Sequence, residues 1–398
     1  MVNKICKIIC TLFCAVIFFS CVSHGNTVTV DDDSVDTASE VSDISDSAAD
    51  EDSAENDDDS LETDVLPDED STFAEEDTEP FSDEDASSDE DIDVHDDEDA
   101  SSNEDNDSVP DEETEETEPY DGDSIQIRIV AGNITSGNKQ SYDQGEGIRI
   151  FQALKPDIAL VQEMNYKNNS ASDYKNFAQL LVGTNYYAVD SSDYQIPNGV
   201  VSRYPITSHG YWVDPNISNR ALLWAVVDIP GDKDIFAISV HLHTSPASHQ
   251  TEAALVIVDE IAKLKSANPD KYYYVVGGDF NGETAVSSSG FGKNNTFYVS
   301  GPHPVDDNGD EETNANRNKH YDYVLADYPL HGFQVPTVFY SSEDPAKTKS
   351  YENGLVFDTR LYTQSVLDEY FSPAHTSDSS ASQMQHMAVV KDFLIELK

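Results

Sequence analysis

Tyr272-Tyr273-Tyr274-Val275-Val276-Gly277-Gly278-Asp279-Phe280-Asn281 is the stretch on which the reading of this chain turns. Its aromatic and β-branched start favours a strand. Two glycines follow, then Asp279 and Asn281 two residues apart. Residues i and i+2 of an extended chain point to the same side, so a carboxylate and a carboxamide would face one spot. The glycines would remove bulk where a substrate or ion approaches the backbone. The plainer alternative is a strand ending in a polar turn, because Gly, Asp and Asn are favoured turn residues.

The segments around it decide between the two. Ile125 to Val130 alternates as a strand and ends at Ala131-Gly132-Asn133; Ile158 to Val161 is a short apolar run leading into Gln162-Glu163. Further strand-like runs are Gly199 to Ser202, Leu222 to Ile229 and Ile235 to His241, with Tyr321 to Ala326 and Met387 to Ile395 later in the chain. Helical spacing predicts helices over Gly147 to Leu154, stopped by Pro156, and over Thr251 to Leu264. Many strands with a few helices predict an α/β (α+β) fold of packed sheets covered by helices.

Polar residues with chemical potential recur where these strands stop: Asn133, Glu163, His241, Asp279 with Asn281, Asp322 and His386. Strand-end loops on one rim of a sheet are where binding groups gather. Singly, each has a bland explanation: a turn cap for Glu163, a surface acid for Asp322, a strand-edge imidazole for His386. His241 also shares its loop with His243 and His249. The ordered set over some 250 residues argues for a site.

On these motifs the body resembles the endonuclease/exonuclease/phosphatase superfamily, from about residue 124 to 396. The strand from Ile127 ending in Asn133 is similar to the family's first motif, and Lys155 to Met164 to its Pro-Asp-apolar-Gln-Glu segment. Asn198 to Ile206 resembles the Ser-Arg-Tyr/Phe-Pro-Ile segment, and Gly277-Gly278-Asp279-Phe280-Asn281 the Gly-Asp-x-Asn signature. Two positions depart: Gly132 stands where the family often has Trp, and Met384-Gln385-His386 where it has Ser-Asp-His. A rival placement of the last motif, Ala374-His375-Thr376, lacks a following apolar strand. The resemblance implies a four-layer α/β sandwich, two sheets face to face with helices outside.

It also implies chemistry. Phosphate esters repel an attacking anion, so a site must neutralise charge, place a water and stabilise the leaving oxygen. Glu163 would hold a divalent ion, with Asn133 orienting the phosphate or the ion's shell. Oxygen ligands favour Mg²⁺, Mn²⁺ or Ca²⁺. Asp279 would orient or deprotonate the water, and Asn281 would donate to a phosphate oxygen. Asp322 and His386 would form a carboxylate–imidazolium dyad, and His241 would be the second histidine at the phosphate. Neutral Gln385 favours a one-ion mechanism. Arg203 and Arg220 are the expected local positive charges on substrate.

Composition adds the context. The chain has 398 residues with 78 acids and 22 basic residues, but residues 124–398 hold 33 acids and 20 bases, a net charge of −13. All but Asp123 of the remaining acids lie in residues 22–122, rich in Asp, Glu, Ser and Thr, which predicts a disordered acidic tether. Residues 1–21 read as an export signal: Lys4 and Lys7, an apolar run too short to span a bilayer, then Ser20-Cys21 as in a bacterial lipobox. Acylation of Cys21 would anchor the protein at the cell surface or the periplasmic face of a membrane; a conventional cleaved signal would secrete it. All four cysteines lie in this segment, so the body at 123–398 has neither disulfide nor thiolate metal site.

A negative body without a basic track disfavours long-range capture of nucleic acid, although the ion and the arginines would supply local charge. The sequence therefore predicts a monomeric metal-dependent phosphodiesterase, first a nuclease on extracellular nucleic acid. The alternatives are a phosphatase or phospholipase C-type enzyme on small or lipid phosphates, and an inactive binding domain on the same fold. Tyr211-Trp212-Val213 is a candidate for membrane contact, with core or a buried strand edge the favoured reading.

Overall fold

The computed structural model describes residues 123–397. The expected export segment with Cys21 and the acidic tether of 22–122 lie outside the described residues.

The first half of the body supplies β1 (Ser124–Gly132), α1 (Glu146–Leu154), β2 (Ile158–Val161), α2 (Ala171–Val182), β3 (Tyr186–Val189) and β4 (Gly199–Ser202). Next come β5 (Ile206–Trp212), β6 (Leu222–Val227), β7 (Asp234–His241), α3 (Ala247–Ala267), β8 (Tyr272–Asp279) and β9 (Asp322–Ala326). The chain closes through α4 (Tyr328–His331), β10 (Gln334–Val335), β11 (Thr337–Tyr340), β12 (Thr348–Tyr351), β13 (Leu355–Phe357), α5 (Gln364–Tyr370) and β14 (Ala388–Glu396). Local chemistry explains the boundaries. Ser170 and Asp173 form a reciprocal capping box at the start of α2, and Gly183 ends that helix with φ 74°. Lys155, left-handed ahead of Pro156, stops α1.

The strands form two large sheets. The seven-stranded one runs β10-β14-β1-β2-β4-β3, with β13 also against β14; the five-stranded one runs β5-β6-β7-β8-β9. Each contains one parallel pair, β1 with β2 and β7 with β8, bridged by the crossovers that carry α1 and α3. Alternate residues of the smaller sheet divide between two cores. Leu223, Ala225, Val275 and Val324 join the core shared with the larger sheet, α1 and α2; Val226, Ile238, Val276 and Leu325 pack with α3. That division is the four-layer arrangement, helices outside two facing sheets.

The two glycines of the opening stretch have a different use from the one their position suggests. A Cβ on Gly277 would sit 2.8 Å from Leu160 Cδ1 and 3.1 Å from Ala131 Cβ, both on the facing sheet. One on Gly278, at φ +132°, would meet the Val240 carbonyl and the Gln162 amide. Bulk is therefore removed so that the sheets close on each other, and the ligand approach expected here is replaced by sheet-to-sheet contact.

Parallel pairing is what gathers the site. Gly132 pairs with Val161 at the carboxyl ends of β1 and β2, and His241 pairs with Asp279 at those of β7 and β8. Antiparallel β9 starts at Asp322 opposite Asp279, and β14 runs back beside β1 from just after His386. Six strand ends thus meet on one rim, the place where open α/β sheets bind ligands.

Candidate active site

At this rim the carboxylates crowd together. Asn133 donates from Nδ2 to Glu163 Oε1 at 3.1 Å and to Asp279 Oδ2 at 3.4 Å, and its backbone N–H donates to Asp322 Oδ1 at 3.2 Å. Glu163, Asp279 and Asp322 are 4%, 2% and 0% exposed, which makes their negative charges costly unless compensated. Burial raises the Glu163 pKa, the Asn133 hydrogen bond opposes the rise and the Asp279 charge adds to it. Glu163 also holds a left-handed φ of 49°. A buried non-glycine residue in that region persists only when its surroundings fix it, a mark of functional positions.

The two histidines differ in charge. His386 Nδ1 lies 2.9 Å from Asp322 Oδ2 and 3.6 Å from Asp279 Oδ2. Burial works against its charged form, but the Asp322 and then the Asp279 carboxylates prevail and bring its pKa up to about 9. His241 Nε2 lies 3.3 Å from Asp279 Oδ2, and its Nδ1 is buried without a hydrogen-bond partner. There burial outweighs Asp279, with the Arg220 and His386 charges assisting, and the pKa falls to about 3. One imidazolium and one neutral imidazole thus flank the same carboxylate at neutral pH, a division typical of acid–base sites.

A divalent cation suits this donor set. One carboxylate oxygen each from Asp279 and Asp322 lies within 4.8 Å of the other and of a His386 ring nitrogen, which pairs with Asp322 Oδ2 at 2.9 Å. The Asp279 and Asp322 carboxylates, with Glu163 joined to Asp279 through the Asn133 amide, are oxygen donors of the kind that suits Mg²⁺, Mn²⁺ or Ca²⁺.

Other expected residues are placed differently. Arg203 stands at the opposite end of the sheet: it follows Ser202, which pairs with Ile158 at the start of β2, and it binds Asp157 at 3.1 Å. Strand polarity excludes it, since the rim lies at the other end of β2. Arg220 reaches the rim but is spent there, donating to the His241 and Leu242 carbonyls and to Asn219 Oδ1. It braces the His241 loop beneath the surface instead of presenting a guanidinium to substrate. Asn281 adopts φ 54° just past the end of β8, so the expected i, i+2 alternation with Asp279 is lost. Its Nδ2 donates to the Leu242 carbonyl at 2.9 Å and its backbone N–H to Asp279 Oδ1 at 2.9 Å. Asn133 turns its amide nitrogen to the carboxylates, while its oxygen accepts from Thr135. His375 of the rival motif is exposed and precedes no strand. Trp212 packs on Phe236 at 5.9 Å at the end of β5, in line with the core or strand-edge reading, while neighbouring Val213 is 70% exposed.

Three neighbours were not anticipated. Thr135 Oγ1 lies 3.2 Å from both Glu163 Oε2 and Asn133 Oδ1; the Asn133-Ile134-Thr135 spacing carried the same i, i+2 signal noticed at Asp279. Thr313 Oγ1 accepts from the backbone N–H groups of Tyr321 and Asp322, fixing the start of β9. The half-buried Tyr321 ring stands 5.6 Å from the His386 imidazole. A threonine so distant in sequence and a tyrosine outside the motif gave no comparable sign.

Comparison with known proteins accords with this picture. Residues 148–343 match the family model described as Endonuclease/Exonuclease/phosphatase family. No curated protein matches the chain. Similar solved structures include an endonuclease/exonuclease/phosphatase from Beutenbergia cavernae, at 19% identity and TM-score 0.45, covering 68% of this chain and 72% of that one. A Bacteroides thetaiotaomicron mannosyl-6-phosphatase shares 14% identity at TM-score 0.40 over 68% of this chain and 99% of its own. TDP2 from D. rerio, complexed with a single-strand DNA product, shares 14% at TM-score 0.42 over 67% and 98%. Glu163, His241, Asp279 and Asp322 of the rim lie within the matched residues 148–343, so the body carries the match to the endonuclease/exonuclease/phosphatase family, a family of phosphoester hydrolases, across most of its site.

Proposed function

We propose that this protein is a divalent-cation-dependent hydrolase that grips its substrate at a single phosphate and acts on small or terminal phosphoesters. The observation that carries the choice of substrate is the fate of the arginines. All six in the described body are engaged internally: Arg128 with Asp392, Arg149 with Asp378, Arg203 with Asp157, Arg317 with Asp306 and Asp358, Arg360 with Asp358, and Arg220 with backbone carbonyls. With a body charge of −13, little remains to track a phosphate backbone, which nucleic-acid binding ordinarily requires.

Within the site, Asp279 is the group to orient and deprotonate the attacking water, because its carboxylate sits between both imidazoles. His386, kept charged by Asp322, donates to a phosphoryl oxygen as negative charge develops. Neutral His241 has a single N–H, and from Nε2 it holds Asp279 in place. Glu163, Asp322 and Asp279 are the groups to hold the cation, which supplies charge neutralisation and Lewis acidity when bound. Asn133 and Thr135 keep Glu163 aimed.

The nuclease expected from sequence is the second reading, and the Tyr321 ring beside His386 favours it by offering a face on which a base could stack. Assay of the full chain with Mg²⁺, Mn²⁺ or Ca²⁺ on sugar phosphates, a bis-aryl phosphate, sphingomyelin, single- and double-stranded DNA and RNA separates the readings. Chelator-sensitive turnover, fastest on small phosphoesters and lost by about 10²–10⁴-fold in Asp279→Ala and His386→Ala, is the expected result. Turnover fastest on DNA or RNA selects the nuclease; no turnover on any of them leaves the inactive binding domain. Export with acylation at Cys21 completes the proposal, and loss of membrane fractionation in Cys21→Ser tests it.

A further inference from the structure

We propose that Gln250 is a positioning residue for this site, tying together the two loops that follow His241 and Asp279. The inference rests on the hydrolytic reading and adds to it a residue that touches neither the cation nor the phosphate.

Gln250 stands in the first turn of α3 and is 2% exposed. Its Nε2 donates to the His243 carbonyl and to the Asn281 carbonyl, at 2.9 Å in each case. A carboxamide nitrogen carries two hydrogens, so this pair of bonds uses both. Each acceptor lies two residues beyond a site residue: His243 beyond His241 at the end of β7, Asn281 beyond Asp279 at the end of β8. Gly282 lets the amide in, since a Cβ there would lie 3.3 Å from Gln250 Oε1 and 3.4 Å from Nε2.

Strand direction creates the need for such a tie. β7 and β8 are parallel, and parallel strands have no hairpin to join their ends. Past the paired His241 and Asp279 the two chains part, one into α3 and the other toward β9. Two bonds hold them for one residue more: the Leu242 N–H donates to the Asp279 carbonyl at 2.8 Å, and Asn281 Nδ2 to the Leu242 carbonyl at 2.9 Å. Gln250 closes the set from α3, whose Ala253, Ala254 and Ile257 pack in the core shared with the smaller sheet. Both loops are thereby fixed to one rigid support, and Asp279 keeps the place where His241 Nε2 meets it at 3.3 Å. That carboxylate is the group assigned to orient the water, so loosening its loop should cost turnover while leaving substrate binding intact.

Gln250→Leu and Gln250→Glu in the full chain, assayed at saturating cation on the phosphoester that the wild type turns over fastest, test this. Gln250→Leu, folded by circular dichroism, should lose about 10–100-fold in kcat with KM within about twofold. Gln250→Glu sets a carboxyl against two carbonyls, which raises its pKa; ionised it repels both, and protonated it donates to one. Its kcat relative to wild type should therefore climb as pH falls from about 8 to about 5.5, a recovery that Gln250→Leu should not share. That pH dependence decides the matter should Gln250→Leu fail to fold. A Gln250→Leu kcat within about twofold of wild type, a loss carried by KM, or a Gln250→Glu ratio indifferent to pH would overturn the proposal. A wild type that turns over nothing fails the hydrolytic reading instead. Cation affinity by titration calorimetry then decides the positioning role: weakening by about tenfold in Gln250→Leu upholds it, and an unchanged affinity overturns it.

Discussion

Asp322→Asn is the most informative single substitution, because it keeps the shape of the residue and removes the charge nearest to His386. The imidazole carries an ordinary pKa of 6.5 and is held at about 9, a gap worth about 3 kcal/mol at 1.36 kcal/mol per unit. Burial acts in the opposite sense, so the carboxylates supply more than this net figure. With Asn at 322, Asp279 at 3.6 Å remains but the 2.9 Å partner is neutral, and the pKa should fall to 6.5 or below. At pH 8 the charged fraction of His386 in the cation-free protein would then drop from about 90% to about 3%, about 30-fold, yet at pH 5.5 it would barely change.

The assay is imidazole NMR titration of the cation-free protein, wild type against variant. The sign follows from linkage. A raised pKa means the wild-type contribution of His386 to stability in the cation-free protein is full below pH 6.5 and is lost as pH rises through about 9. The His386 titration should therefore move down by two or more pH units in the variant. A titration that stays in place would refute the pairing of the imidazolium with Asp322.

Three further outcomes follow from the same geometry. Arg203→Ala should leave kcat/KM within about twofold, because the residue sits at the far end of β2 on Asp157; a tenfold loss would return it to the site. Thr135→Val removes hydrogen bonds to Glu163 and Asn133 and should weaken cation affinity by about 10–100-fold, measured by titration calorimetry, with the fold intact by circular dichroism. Arg128→Met should cost about 3–5 kcal/mol in urea unfolding, since it strands Asp392 at 0% exposure after breaking the 2.8 Å paired bonds; a cost below about 1 kcal/mol would show the pair to be dispensable.

Much of the fold was legible because its strands are short, apolar and punctuated. Ile158–Val161 and Gly199–Ser202 appear with the ends the sequence predicts, and the helix expected over Thr251 to Leu264 grows to Ala247–Ala267 as its polar ends are carried by the apolar middle. The capped helix Ala171–Val182 was missed although Ser170 and Asp173 announce it and Tyr174, Phe177, Ala178 and Leu181 fall at helical spacing on its buried face. The small strands between Gln334 and Phe357 were illegible for a physical reason: they owe their form to β14 and to each other, with no sustained alternation of their own.

The site divides along the same line. Residues at strand ends were found because strand direction alone puts them on one rim, and the two parallel pairs make that direction common to Asn133, Glu163, His241 and Asp279. What sequence could not supply was the state of each group once there. Asn281 looked like a phosphate donor until its left-handed backbone turned the amide to the Leu242 carbonyl, and Arg220 looked like a substrate clamp until three acceptors claimed it. In both cases the polar side chain satisfies buried backbone groups, an obligation as strong as catalysis and invisible in a linear pattern. The consequence reaches the site: with its arginines committed to the scaffold, the rim keeps one imidazolium and a knot of carboxylates, a donor set that suits a cation.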